Sequence, residues 1–263
     1  MPALTSEMKR QVDVIKSGSR NIYGVFVSRF GFDITGEKLR NFLGIWDYGL
    51  DNSDVINFYM TMIRNRSRDK PSMNMVQFLY TDFYKALVRG DPTHTWTEHC
   101  DIYSCDVLFI PAKREHHWTL IAVDCVRKTI TSYCYEKMEH PEVPRVVVEF
   151  LEQQHRWKRG RKLDFDEWKM DHQHRYRNGG GFNESAAFIC TQAEFLSRNM
   201  ELEYHGDDNV IKTMVYEIVN QELVRSDFEA RVHRCATEKC PIKSLFYLLC
   251  TSYFYKLISF HDL

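Results

Sequence analysis

The chain has 263 residues, of which 44% are apolar, 14% aromatic and 27% charged. Its 35 basic and 36 acidic side chains leave a net charge of −1, which excludes a globally basic nucleic-acid coat and an acidic disordered chain. That length suits one large domain or one domain with extensions, and the aromatic content suits an ordered core.

Residues 1–20 are polar and mixed and read as a frayed end, and a loop-like Gly/Asp-rich stretch continues to Asn52. DNSDVINFYMTMIRNR is the first clear helix. Asn52 or Ser53 can cap it, and Val55, Ile56, Tyr59, Met60 and Ile63 line one face. VQFLYTDFYKALV (76–88) reads as a short helix or a strand followed by a helix. VLFIP (107–111), HWTLIAVD (117–124) and TITSYCY (129–135) are three strands, with a tight turn between the last two. PRVVVEFLEQQHRW (144–157) opens on proline and continues as a helix. Residues 156–183, with RWKRGRK and then DHQHRYRNGGGFN, read as a basic, flexible loop. ESAAFICTQAEFLSRN (184–199) and DDNVIKTMVYEIVNQELV (207–224) are helices. In the first of these Ala186, Ile189, Cys190, Ala193 and Leu196 share a face.

SLFYLLCTSYFYKLISF (244–260) is apolar nearly all round, but it is short for a membrane span and is interrupted by Lys256. It is expected to pack on the domain or on a protein partner through Leu245, Leu249 and Tyr253. No secretory signal opens the chain, so Cys100, Cys105, Cys125, Cys134, Cys190, Cys235, Cys240 and Cys250 are expected as reduced thiols. The Cys100–Cys105 and Cys235–Cys240 spacings are wider than those of usual structural zinc sites, so no metal is expected.

A turn centred near Val126 pairs residues whose numbers sum to about 252. His117 then lies opposite roughly position 135, with Cys134, Tyr135 and Glu136 close by. A strand pair can present a base beside its orienting acid in this way. The helix that carries Ser185 starts after a Gly-rich loop and could bring a nucleophile to the same edge. Its N-terminus would favour an anion.

HHWTLIAVD with its following strand, and then FICTQAEFLSR on a helix, resembles the ubiquitin-like-protein proteases that process and remove SUMO, the Ulp1/SENP group of C48 cysteine peptidases. DVINFYMTMIRNR, FLYTDFYKAL, DIYSCDVLFIPAKREHHWTLIAVD and DNVIKTMVYEI resemble further segments of that family in the same order. The resemblance covers about residues 31–225. It implies an α+β, papain-like cysteine-protease fold with a central mixed sheet packed by helices, carrying the basic, Gly-rich loop at 156–183. An N-terminal extension (1–30) and an apolar helical C-terminal extension (226–263) would flank it. No cofactor is expected.

Carried over by position, His117 matches the family's base and Trp118 the tryptophan beside it. The family's Asp falls on Cys134. Its Asp-Cys-Gly-x-Phe segment falls on Glu184, Ser185, Ala186, Ala187 and Phe188, which sets Ser185 at the nucleophile position. Its oxyanion Gln falls on Gly179. An early tryptophan that walls the substrate groove falls on Leu50, and the Asp of the same motif on Ser53. In the worked Ser-His-Asp triad, converting the acid to an amide costs about 10⁴ in rate, and losing one oxyanion donor costs roughly 10²–10³. Glu136 could stand in for the acid, and Gln173, Asn178 or Asn183 for the oxyanion donor.

The expectation is a catalytically inactive protease domain that acts as a protein–protein interaction scaffold or adaptor in a nuclear complex. The sequence leaves open whether its partner is a SUMO-like modifier, and the 240–263 segment is the suggested contact. The alternative is a SUMO or ubiquitin-like isopeptidase or processing protease, with Ser185 a weak nucleophile or an engineered replacement for Cys. A second alternative is a nucleic-acid-associated scaffold that uses the basic loop, although the near-zero net charge disfavours nucleic acid as a direct ligand. KRGRK (158–162) and the family resemblance point to the nucleus.

Overall fold

An apolar run too short for a globular helix, such as TLIAV, has to be covered on both faces, and here it forms the middle strand of a five-stranded sheet. The computed structural model describes residues 4–19, 21–45, 51–98, 101–114, 117–135, 142–174, 182–200 and 208–224, without the side chains of 142–144, 174, 182, 183 and 208. Leu4–Leu223 make one compact unit.

The sheet is built from β3 (Val76–Phe78), β4 (Val107–Arg114), β5 (His117–Asp124), β6 (Thr129–Cys134) and β7 (Lys169–His174), in that spatial order. The β3–β4 and β6–β7 pairs are parallel and the two central pairs antiparallel, so the sheet is mixed. Alternation along the strands splits the core. Val107, Phe109, Trp118, Leu120, Ala122 and Tyr133 face one layer, and Leu108, Ile110, Ala112, Ile121, Val123 and Ile130 face the other.

Helices α4 (Asp82–Arg89) and α5 (Glu142–Arg159) supply the second layer, where Phe83 packs edge-on against Phe150 with ring centroids 4.8 Å apart. The first layer holds α3 (Ser53–Asp69), α6 (Phe182–Ser197) and α7 (Asp208–Asn220). This is the α+β architecture with a central mixed sheet that the resemblance implied.

Helix α3 departs from the one-faced reading, because every residue from Val55 to Ile63 is buried. It lies among β2, β3, α2 and α6, so its polar side chains need internal partners. Asn57 Nδ2 donates to Thr81 Oγ1 at 3.0 Å, and Asn57 Oδ1 accepts the Thr81 N–H at 3.1 Å. Tyr59 donates to Glu217 Oε2 at 2.6 Å. Asn52 is the N-cap residue but makes no side-chain cap bond. Its Oδ1 instead accepts from Asn41 Nδ2 at 2.8 Å.

Three segments differ from the sequence expectation. The supposedly frayed end contains α1 (Ser6–Ser17), with Met8, Val12 and Ile15 buried at helical spacing, the Met8 N–H bonded to Thr5 Oγ1 at 3.2 Å and Gly18 in the left-handed conformation at the C-terminal end. The stretch before Asn52 holds a hairpin, β1 (Val25–Arg29) with β2 (Phe32–Thr35), and the short helix α2 (Gly36–Phe42). The expected loop at 156–183 is interrupted as well: α5 continues to Arg159, and Lys169–His174 join the sheet beside β6. Polar residues at an outer strand hid β7 from the pattern, and its Met170 is exposed.

Candidate functional site

His117 is the first residue of β5 and Cys134 the last of β6. Thr119 pairs with Cys134, so paired numbers sum to 253, one more than the turn arithmetic gave. Directly opposed residues of an antiparallel pair share a face, as do alternate residues of one strand. His117 and Cys134 are therefore on one face, diagonal across the pair. Cys134, which the resemblance set at the acid position, is a buried thiol.

Trp118 and Tyr135 point to the opposite face and are almost fully buried. Lys113 stands over the Trp118 ring, 5.6 Å from its centroid, and pairs with Asp51 at 3.4 Å. The Trp118 indole N–H is buried and has no hydrogen-bond partner among the described residues.

Helix α6 packs along β5 and brings Ser185 to the start of that strand. Ser185 is 0% exposed, and its Oγ accepts a hydrogen bond from the Trp118 main-chain N–H at 3.1 Å. β6 has ended by this point, so the Ser185 hydroxyl provides an acceptor where the regular strand ladder stops. Glu184, one residue earlier in the first turn of α6, accepts a hydrogen bond from the Tyr135 hydroxyl at 2.5 Å. Together these two bonds tie the beginning of α6 to the β5–β6 pair.

The structure therefore brings His117, Trp118, Cys134, Glu184 and Ser185 to one end of the β5–β6 pair. Leu50, Glu136, Gly179, Asn178 and the Asn183 side chain lie outside the described residues, as do Leu245, Leu249 and Tyr253. Gln173 is held on β7, where its Nε2 donates to Asp171 at 3.0 Å. It lines a cavity of about 500 Å³ beside Tyr133, Gln192 and Asn199, towards the far end of α6. Asp124 anchors the β5–β6 turn, accepting the Val126 and Arg127 N–H groups at 3.0 and 2.7 Å and pairing with the Arg127 guanidinium at 2.9 Å.

Sequence reasoning set Tyr135 near His117 without a role, and missed Lys113 at the site. The strand alternation that places Trp118 and Tyr135 on one face was the available signal for Tyr135.

Burial pushes the Cys190 thiol well above its ordinary range, so this thiol on α6 is no substitute nucleophile. The basic run is largely engaged within the fold. Lys158 donates to the Thr97 carbonyl, Arg159 pairs with Asp101, and Lys162 pairs with Glu152 at 3.7 Å. Among the described residues, no group of three or more His, Cys, Asp or Glu side chains could hold a metal ion. No helix among them is long and apolar enough to cross a membrane.

Comparison with known proteins places these features in context. The model of the Ulp1 protease family C-terminal catalytic domain matches residues 52–231, more than half of the chain. Human Sentrin-specific protease 2 is 24% identical over 230 residues, which are 84% of this chain and 38% of that protein. A Sentrin-specific protease from Caenorhabditis elegans is 26% identical over 207 residues, covering 76% of this chain and 29% of its own length. The chain thus spans well under half the length of these curated relatives. Among solved structures, the C-terminal Ulp1 protease domain in complex with Smt3, the yeast ortholog of SUMO, superposes with a TM-score of 0.67 at 15% identity, covering 85% of this chain and 98% of that one. The Ulp1-like SUMO protease catalytic domain of Chaetomium thermophilum gives a TM-score of 0.62 at 17% identity, covering 87% and 94%. At these identities the structures establish a shared fold.

Proposed function

The chain belongs to the Ulp1 protease family, and from that premise we propose that it is a catalytically silent member that uses the protease fold to hold a protein partner. One observation carries this reading. The residue at the nucleophile position is a fully buried serine whose oxygen is engaged by the Trp118 N–H. A serine hydroxyl needs a well-oriented base to attack a carbonyl. In the family that base is oriented by an acid, and here the acid position holds the Cys134 thiol.

A scaffold role follows from keeping the fold while losing the chemistry. The partner would be a protein, with a SUMO-like modifier one candidate and the 240–263 segment, through Leu245, Leu249 and Tyr253, another route of contact. A nuclear setting is proposed from the family resemblance and KRGRK (158–162). The pairing of Arg159 and Lys162 with carboxylates favours a protein partner over a nucleic acid. The second reading is a SUMO or ubiquitin-like protease, and membership of a protease family favours it.

Titration of labelled SUMO with the whole chain, followed by gel analysis of the same samples, separates the readings. Saturable binding with the modifier left intact supports a silent binder that recognises SUMO. Saturable binding of another protein, lost on deletion of 240–263, supports the C-terminal route. Processing of a SUMO precursor at catalytic amounts of the chain supports the protease reading and overturns the first.

A further inference from the structure

At the end of β5 opposite His117, two thiols meet. Cys105 lies just before β4 and Cys125 just after β5. The last pair of that ladder is Val107 with Asp124, and beyond it the Cys125 N–H donates to the Asp106 carbonyl at 2.8 Å, which keeps the two segments side by side. Both sulfurs turn to the same acceptor: the Ile102 carbonyl lies 3.1 Å from Cys105 Sγ and 3.9 Å from Cys125 Sγ. One carbonyl oxygen thus gathers both sulfurs. Cys105 is buried in the cluster that contains Ile102, Leu108 and Val123, while Cys125 sits partly exposed at its edge.

We propose that Cys105 and Cys125 form an oxidative modification site that closes to a reversible intramolecular disulfide with hydrogen peroxide as oxidant. The Cys125 thiolate attacks one peroxide oxygen. The O–O bond breaks, the departing hydroxide takes a proton and leaves as water, and Cys125 becomes a sulfenic acid. The Cys105 sulfur then attacks the Cys125 sulfur. The S–O bond breaks, and a second water leaves with the Cys105 proton. In total the two thiols lose two hydrogens and two electrons, and one peroxide is reduced to two waters.

The surroundings assign the two roles. Interaction with the neighbouring Cys105 thiol lowers the pKa of Cys125, against burial and the nearby carboxylates of Asp124, Asp106 and Asp101. The same interaction, with burial, pushes the Cys105 thiol up. The partly exposed sulfur is thus the one suited to meet peroxide, and the buried one to resolve the product. Cys125 lies eight residues along the chain from His117, about 26 Å at extended-strand spacing. The cross-link would join the entrance of β4 to the exit of β5 and leave the Ser185 end unchanged, so the inference is independent of the proposed function.

The test treats the whole chain with graded hydrogen peroxide, blocks remaining thiols with N-ethylmaleimide and maps the digested peptides by mass spectrometry. The expected product is a peptide pair linked through Cys105 and Cys125, released by dithiothreitol, with two of the eight cysteines lost from labelling. Cys105→Ser should abolish the link and leave a Cys125 sulfenic acid that dimedone captures. Sulfinic acid on Cys125 with Cys105 still labelled, or links from either residue mainly to other cysteines, would overturn the proposal. Dimedone capture at residues other than Cys125 in the Cys105→Ser chain would overturn the assignment of the attacking sulfur.

Discussion

The Ser185 hydroxyl oxygen lies 3.1 Å from the main-chain nitrogen of Trp118 and accepts its hydrogen bond, joining the start of α6 to the start of β5. This gives Ser185, which the resemblance set at the nucleophile position, a structural task. Ser185→Ala would leave a buried N–H without its acceptor, which costs about 1–3 kcal/mol. Urea denaturation should show a lower midpoint with an unchanged slope. A stability equal to that of the unaltered chain would mean that the bond contributes nothing.

Tyr135 provides the second tie, through its hydroxyl to Glu184. Hydrogen bonds to charged groups contribute about 1.5–3 kcal/mol, and the partial exposure of Glu184 places this one towards the lower end. Tyr135→Phe keeps the ring that packs against Phe188 at 5.7 Å and removes only the hydroxyl. Thermal unfolding should shift downwards, and Glu184→Gln should give a smaller loss. A larger loss in Glu184→Gln than in Tyr135→Phe would contradict this assignment.

In the INFY segment of α3, Asn57 makes two hydrogen bonds with Thr81. Replacing it with Ala leaves the buried Thr81 N–H unsatisfied, at a cost of about 2 kcal/mol. A double-mutant cycle with Thr81→Ala should show that the two losses are not additive, because both substitutions remove the same side-chain bond. Additive losses would show that the two side chains act independently.

Cys190 follows Ser185 on the same helix but is fully buried, with its thiol pushed far above the ordinary range. Short iodoacetamide treatment of the native chain at pH 8 should leave Cys190 unmodified, while unfolding should expose it. Rapid native labelling of Cys190 would show that the α6 core opens readily.

Much of the sheet was legible because its strands follow simple rules. The apolar run of β5 and the short turn before β6 set the register to within one residue, and the family pattern then placed His117, Cys134 and Ser185. Helix α1 was also legible in principle: Met8, Val12 and Ile15 are spaced i, i+4 and i+7, Thr5 stands at the cap and Gly18 at the end. Its otherwise polar surface obscured them. β7 offered no comparable signal, because at the sheet edge Lys169, Asp171 and Gln173 alternate with Met170 and His172, giving neither face an apolar stripe. The Ser185–Trp118 bond depends on a side chain and a main-chain group 67 residues apart, which neither local periodicity nor motif order reveals.

Cleavage tests the central claim most directly. The unaltered chain, Ser185→Cys, and Ser185→Cys combined with Cys134→Asp and Gly179→Gln are each incubated with a SUMO precursor, and the processed product is quantified over time. The account predicts no product above background from the unaltered chain or from Ser185→Cys, since the thiol alone restores neither the acid nor the oxyanion donor. Measurable product from the triple substitution would show that the lost groups were limiting. Multiple turnovers by the unaltered chain would contradict catalytic silence outright.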